Sequence, residues 1–154
     1  MAKRKVNTQP FWRFLFLLYM GLMIWLLFFR GRARAPGLDY WQAVQDNFNI
    51  IPFYTIDNYV NVIVNYPNSS LFVHCFINLV GNVVMFIPAG WLLPRLFAPM
   101  RKFFRFLLTC FVSILLVEVF QLFTLLGSFD VDDIILNLAG MIIGFIVYLC
   151  KRKK

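Results

Sequence analysis

A small set of acidic and amide side chains stands out in a chain that is otherwise apolar. Hydrophobic residues make up 61% of its 154 residues and charged residues 14%, so a carboxyl or amide group inside an apolar run needs a physical reason. Six such residues form three pairs, each spaced so that both members lie on one helical face: Glu118 with Gln121, Asp133 with Asn137, and Asn78 with Asn82.

These residue types suit proton transfer or the binding of a polar headgroup. A carboxyl group can act as acid, base or cation ligand, and we assign these catalytic roles to Glu118 and Asp133. The four amides can donate and accept hydrogen bonds, so we expect them to orient a bound ligand. The alternative is that the amides only join helices and keep Glu118 hydrogen bonded, at about 0.6–2 kcal/mol per bond.

An acidic segment, FDVDD at residues 129–133, precedes the last apolar run. An aspartate before a helix can accept bonds from its free amides, and we assign this cap to Asp130. Asp132 and Asp133 then point about 100° apart on the helix. Asp133 aligns with Asn137 and should face the other helices, whereas Asp130 and Asp132 are expected to shape the rim of the site and contact the ligand.

No spacing in the chain requires a cofactor. The acidic cluster contains oxygen ligands that a divalent cation could use, but the sequence predicts neither a metal site nor an organic cofactor. The three cysteines, Cys75, Cys110 and Cys150, have no CxxC spacing and are interpreted as packing residues.

Four apolar runs are long enough to cross a bilayer, which requires about 20 residues. They cover residues 11–29, 71–97, 103–126 and 131–150. Pro88 lies in the second run, so its straight portion should end near Ile87 and the remainder should bend toward the surface. The short turn at residues 127–129 makes the third and fourth runs an antiparallel hairpin. We predict a single domain over residues 1–154.

The segment at about 38–66 should not span the membrane. Prolines and asparagines interrupt it, while Phe53, Ile56, Tyr59 and Ile63 recur at helical spacing opposite polar residues. This pattern predicts an amphipathic helix at the membrane interface. The fold class is therefore an all-α membrane protein, with a bundle of four transmembrane helices and one extracytoplasmic interfacial helix.

The basic residues set the predicted orientation. Alternate segments carry most of them, at residues 3–13, 95–105 and 151–154, which places both termini in the cytoplasm. Arg30, Arg32 and Arg34 lie on the opposite side and depart from the rule. The net charge of +8 is explained by this asymmetry and by anionic lipids, and no nucleic-acid partner is expected.

Two stretches together resemble the VanZ-like family. They are NLVGNVVMFIPAG at residues 78–90, and the path from Glu118 through FDVDD to Asn137, Gly140 and Gly144. Many members of that family carry an arginine in the turn before the acidic segment, whereas this chain has Gly127-Ser128. The resemblance implies an integral protein of the bacterial cytoplasmic membrane that is linked to glycopeptide resistance, particularly to teicoplanin.

We therefore expect the protein to recognise a lipid-linked or phosphate-bearing headgroup at the outer leaflet, and the hypothesis includes chemical modification of that headgroup. Its expected partner is a membrane lipid or a lipid-linked cell-wall intermediate. The alternative is a non-catalytic scaffold that binds lipid or a partner protein. The GxxxG spacing of Gly140 and Gly144 predicts a face through which copies of the chain could associate.

Overall fold

The computed structural model describes residues 9–29 and 39–152. Four long helices dominate it, and each is long and apolar enough to cross a membrane. They are α1 (Gln9–Ile24), which continues into a π-helical turn (Trp25–Phe29), then α4 (Ser70–Leu96), α5 (Phe103–Thr124) and α6 (Val131–Arg152). The predicted class, an all-α multi-pass membrane protein, is confirmed.

Charge is separated between the two ends of the bundle. All six aspartates lie in or before the helix ends near the turn between α5 and α6, or in the segment between α1 and α4. The described basic residues lie at the opposite end, where the Arg95 guanidinium is 4.1 Å from the Trp12 ring and 5.0 Å from the Trp91 ring. Arg30, Arg32 and Arg34 lie outside the described residues, as do residues 1–8 and 153–154.

The surface between these ends is apolar. Large side chains such as Leu17, Phe104 and Leu116 are more than 60% exposed, which suits contact with lipid tails. Inside, Phe106, Cys110 and other apolar side chains form a continuous core between the helices.

The closest helix pair is α4 with α6, and glycines make it possible. A Cβ atom at Gly140 would lie 2.1 Å from the Val83 carbonyl oxygen, and one at Gly144 would lie 2.1 Å from that of Ile87. The two backbones are therefore in direct contact. Within the chain, the face that carries the GxxxG spacing packs on α4.

Helix α4 continues without interruption through Pro88 and Pro94 to Leu96. A proline removes one backbone donor, but neighbouring helices can supply others in a membrane protein. In this turn the Tyr19 hydroxyl of α1 donates to the Met85 carbonyl at 2.8 Å.

The segment before α4 is more elaborate than one amphipathic helix. It contains α2 (Tyr40–Asp46), a two-residue strand β1 (Phe48–Asn49) and α3 (Tyr54–Asn65). Strand β1 pairs in parallel with β2 (Phe129–Asp130), which directly precedes α6. The sequence predicted no strand, because two residues are too short for a periodic pattern.

Helix α3 has the predicted two-sided character. Ile56, Tyr59 and Ile63 are half-buried, and the helix packs mainly on α4, whereas Asp57 and its polar neighbours are exposed. Val60 is also exposed, at 42%, so the apolar stripe is only partly covered by protein. Helix α3 thus packs against one side of the bundle, mainly on α4.

Candidate functional site

The acidic end of the bundle encloses a cavity of about 950 Å³. Its wall is built from the π-helical turn after α1, the last turns of α5 and the loop after it, the N-terminal halves of α4 and α6, and residues of α2 and α3. The six residues that form the three predicted pairs all contribute to this wall: Asn78, Asn82, Glu118, Gln121, Asp133 and Asn137.

Asn82 and Asp133 connect the two helices that pack most closely. The Asn82 Nδ2 donates to the Asp133 Oδ1 at 2.5 Å, which joins α4 to α6 at the cavity wall. Because the glycine contact holds these two backbones together, both side chains are positioned by rigid helices. The sequence predicted that both residues face the bundle, and the structure places them there.

Glu118 and Asn137 are the most deeply placed polar residues of the wall, with 2% and 3% exposure respectively. Glu118 Oε2 accepts one long bond, from the Asp130 amide at 3.4 Å. Asn137 Oδ1 is buried and has no hydrogen-bond partner among the described residues. These two residues therefore bring acceptor oxygens to the wall that the protein satisfies poorly.

Two of the predicted ligand amides already use their donors inside the protein. Gln121 Nε2 donates to the Leu27 carbonyl at 2.7 Å, in the π-helical turn that ends α1. Asn78 Nδ2 donates to the His74 carbonyl at 2.8 Å. Gln121 thus joins α5 to α1, as the structural alternative for these amides predicted.

Asp130 acts as the predicted cap of α6, because its Oδ1 accepts the Asp132 amide at 2.9 Å. Its other oxygen accepts the Thr55 hydroxyl at 2.6 Å, and Asn49 Nδ2 lies 3.3 Å from Oδ1. Asp130 also lines the cavity. It therefore combines a cap with a place in the wall.

The expectation that Asp132 shapes the rim and contacts a ligand is wrong, since its side chain is fully buried and does not line the cavity. Its carboxylate accepts three backbone amides at the start of α3, from Phe53 at 2.6 Å, Thr55 at 2.8 Å and Ile56 at 3.0 Å. A carboxylate at this position caps a helix and complements its dipole. Asp132 caps a helix that precedes it by more than 65 residues, so it fixes the start of α3 to the start of α6.

Several wall residues escaped the sequence argument. Asp46, Asn47, Thr55 and Ser128 line the cavity, but they lie outside the four long helices in which the sequence argument looked for pairs of polar residues. Thr55 and Asn49 are hydrogen-bonded to Asp130, and both contacts join segments that are distant in sequence, Asn49 through the pairing of β1 with β2 and Thr55 at the start of α3.

The electrostatic character of the wall is acidic. Asp46, Glu118, Asp130 and Asp133 contribute carboxyl groups, and no lysine or arginine is among the described residues of the wall. Within residues 9–29 and 39–152, no group of three or more His, Cys, Asp or Glu side chains is arranged to hold a metal ion.

Comparisons with known proteins agree with the sequence resemblance. The family model described as VanZ/LLP1 matches residues 16–152. Protein VanZ of Enterococcus faecium is 27% identical over 141 residues, which cover 92% of this chain and 75% of that protein. No solved structure matches the chain significantly.

Proposed function

Because the chain belongs to the VanZ/LLP1 family, we propose that it serves in glycopeptide resistance of the teicoplanin type by binding a lipid-linked envelope headgroup in the acidic cavity. The observation that carries this proposal is the concentration of carboxyl and amide groups in one cavity of about 950 Å³ between apolar helices. Polar groups at membrane depth are costly and are typical of functional sites. A cavity of this size can accommodate a small headgroup.

The proposal includes an orientation. In the bacterial cytoplasmic membrane, the basic end of the bundle faces the cytoplasm, so both termini are inside and the cavity faces outward. This can be tested with a membrane-impermeant maleimide on intact cells. Ser128→Cys, in the turn between α5 and α6, should be labelled. The unsubstituted chain should not be, because Cys75 and Cys110 are buried and Cys150 lies at the basic end. The opposite orientation would be shown by labelling of Cys150 in the unsubstituted chain together with no labelling at position 128 in the Ser128→Cys variant.

The functional test compares cavity variants in a teicoplanin-susceptible bacterial host. The unsubstituted chain should raise the minimal inhibitory concentration of teicoplanin, and Glu118→Gln and Asp133→Asn should return it to the host value. Asp57→Asn is the matched control, since Asp57 is exposed on α3 and does not line the cavity. Immunoblots establish that all variants reach the same level in the membrane. Full resistance with both cavity variants would refute the role of the cavity.

The proposal has two forms, in which the protein either modifies the bound headgroup or binds it without turnover, and one observation favours the second form. The donors of Gln121 and Asn78 are engaged by backbone carbonyls, so part of the polar wall serves the protein itself. Lipid profiling by mass spectrometry separates the two. New or missing lipid species in cells that make the protein would support modification, whereas resistance with an unchanged lipid profile would support binding alone.

A further inference from the structure

Several polar groups of the cavity wall use a donor within the protein. The Asn82 Nδ2 is engaged by Asp133, the Gln121 Nε2 by Leu27, and the Thr55 hydroxyl by Asp130. Each of these groups therefore commits one N–H or O–H to a bond within the protein. Because Glu118 and Asn137 bring poorly satisfied acceptor oxygens to the same wall, a ligand that pairs with them should bring hydrogen-bond donors.

One buried acceptor points to the ligand directly. Asn137 is 3% exposed, its Oδ1 has no partner within the described part of the chain, and it belongs to the cavity wall. An unpaired buried acceptor costs about 1–3 kcal/mol, so a donor placed there would be favourable. Glu118, also in the wall, receives only the 3.4 Å bond from Asp130 among the described donors.

The charge of the cavity wall further restricts the chemical class of the ligand. Four carboxyl groups line the cavity, and His74 is the one described residue of the wall that could carry a positive charge. A phosphate is anionic and offers only acceptors, so it matches neither the charge nor the missing donors. A hydroxyl brings one donor together with further acceptors. An ammonium group is a cation with three donors and no acceptor, and it matches both requirements.

We propose that the cavity binds a primary ammonium group, carried by a lipid headgroup or by a soluble amine, with Glu118, Asp133 and Asn137 as its acceptors. This inference rests on the proposed headgroup-binding function and names the chemical class of its ligand. Where the headgroup also contains a phosphate, the amine enters the cavity and the phosphate stays outside the acidic wall.

The test uses the purified full-length chain in detergent and native mass spectrometry. Three lipids with the same oleoyl chains are added in equal amounts: phosphatidylethanolamine, its N-acetylated form, and phosphatidylglycerol. N-acetylation keeps the phosphate and removes the ammonium group. We expect phosphatidylethanolamine to be retained about tenfold more than the other two, which corresponds to about 1.4 kcal/mol.

Variants and a competitor locate the effect. Glu118→Gln and Asp133→Asn should each abolish the preference for the amine, and Asp57→Asn should keep it. Free ethanolamine distinguishes the two sources of the amine: displacement of the lipid indicates that the ammonium group alone suffices, and no displacement assigns it to a lipid headgroup. The comparison of lipids on the unsubstituted chain stands even if a variant does not fold.

Equal retention of phosphatidylethanolamine and its N-acetylated form would overturn the inference, as would a preference for phosphatidylglycerol. These outcomes are independent of the resistance test. Loss of resistance in the cavity variants without amine preference would leave the proposed function and remove the ligand class. If the chain prefers the amine but the cavity variants keep full resistance, the ligand class stands and the proposed role of the cavity in resistance is refuted.

Discussion

A methyl group added at Gly140 should force α4 and α6 apart. In Gly140→Ala the new Cβ would lie 2.1 Å from the Val83 carbonyl oxygen and 3.1 Å from the Phe86 Cβ. The first contact involves backbone, which cannot rotate away as a flexible side chain can. Relief therefore requires the two helices to separate locally by roughly 1 Å in a tightly packed interior.

The magnitude follows from that displacement. Overpacking of this kind costs about 1–3 kcal/mol. The Asn82–Asp133 bond spans the same two helices at 2.5 Å, and a local separation of roughly 1 Å would take it beyond the normal range for a hydrogen bond. Gly140→Ala should thus lower the free energy of unfolding and also disturb the cavity wall.

Unfolding of the purified chain can be followed by far-ultraviolet circular dichroism during titration of mixed micelles with sodium dodecyl sulfate. Gly21→Ala is the matched control, because a Cβ at Gly21 would meet nothing within 4 Å. That control should be neutral or more stable by up to about 1 kcal/mol, since alanine favours a helix over glycine. If Gly140→Ala unfolds at the same detergent fraction as Gly21→Ala, the backbone contact between α4 and α6 is not as described and the reasoning fails.

Two further substitutions test contacts between segments that are distant in sequence. Asp132→Ala should cost at least about 1–3 kcal/mol and speed amide hydrogen exchange at residues 53–56, because buried donors lose their acceptor, whereas Asp57→Ala should change neither. Unchanged exchange in Asp132→Ala would contradict its role as the cap of α3. Tyr19→Phe should lower the unfolding free energy by about 0.6–1.7 kcal/mol through loss of its bond to Met85, with Tyr66→Phe at an exposed position as control. Equal stability of these two variants would show that the hydroxyl contributes nothing.

The four spans could be predicted from sequence because hydrophobic length is a local property. Each predicted run overlaps one observed helix, and the ends differ by a few residues. The grouping of Asn82 with Asp133 was also accessible, since depth along each span follows from the rise per residue. Helical spacing placed Glu118 and Asn137 at a similar depth.

The remaining features depend on contacts that no local pattern encodes. Asp132 and Asp133 are adjacent and chemically identical, yet one caps α3 and the other lines the cavity. Their difference arises from where α3 packs, which involves residues more than 65 positions away. Helix α4 continues through Pro88, and in that turn the Tyr19 hydroxyl of α1 donates to the Met85 carbonyl, a contact that depends on how the helices pack. The GxxxG spacing likewise does not tell which helix packs on Gly140 and Gly144, because that depends on how the whole chain folds.

The pairing of β1 with β2 has a consequence for biogenesis. The segment at residues 39–65 leaves the ribosome well before Asp130 and Asp132 are synthesised, so its strand edge and the amides at the start of α3 have no acceptor at that stage. Membrane insertion of α1, α4 and α5 precedes completion of the cavity, which closes only when α6 arrives. A chain stopped before β2 and α6 would leave the amides at the start of α3 without the Asp132 carboxylate and the cavity without one of its walls. The contacts that complete the cavity and hold the start of α3 therefore form only after β2 and α6 have been synthesised.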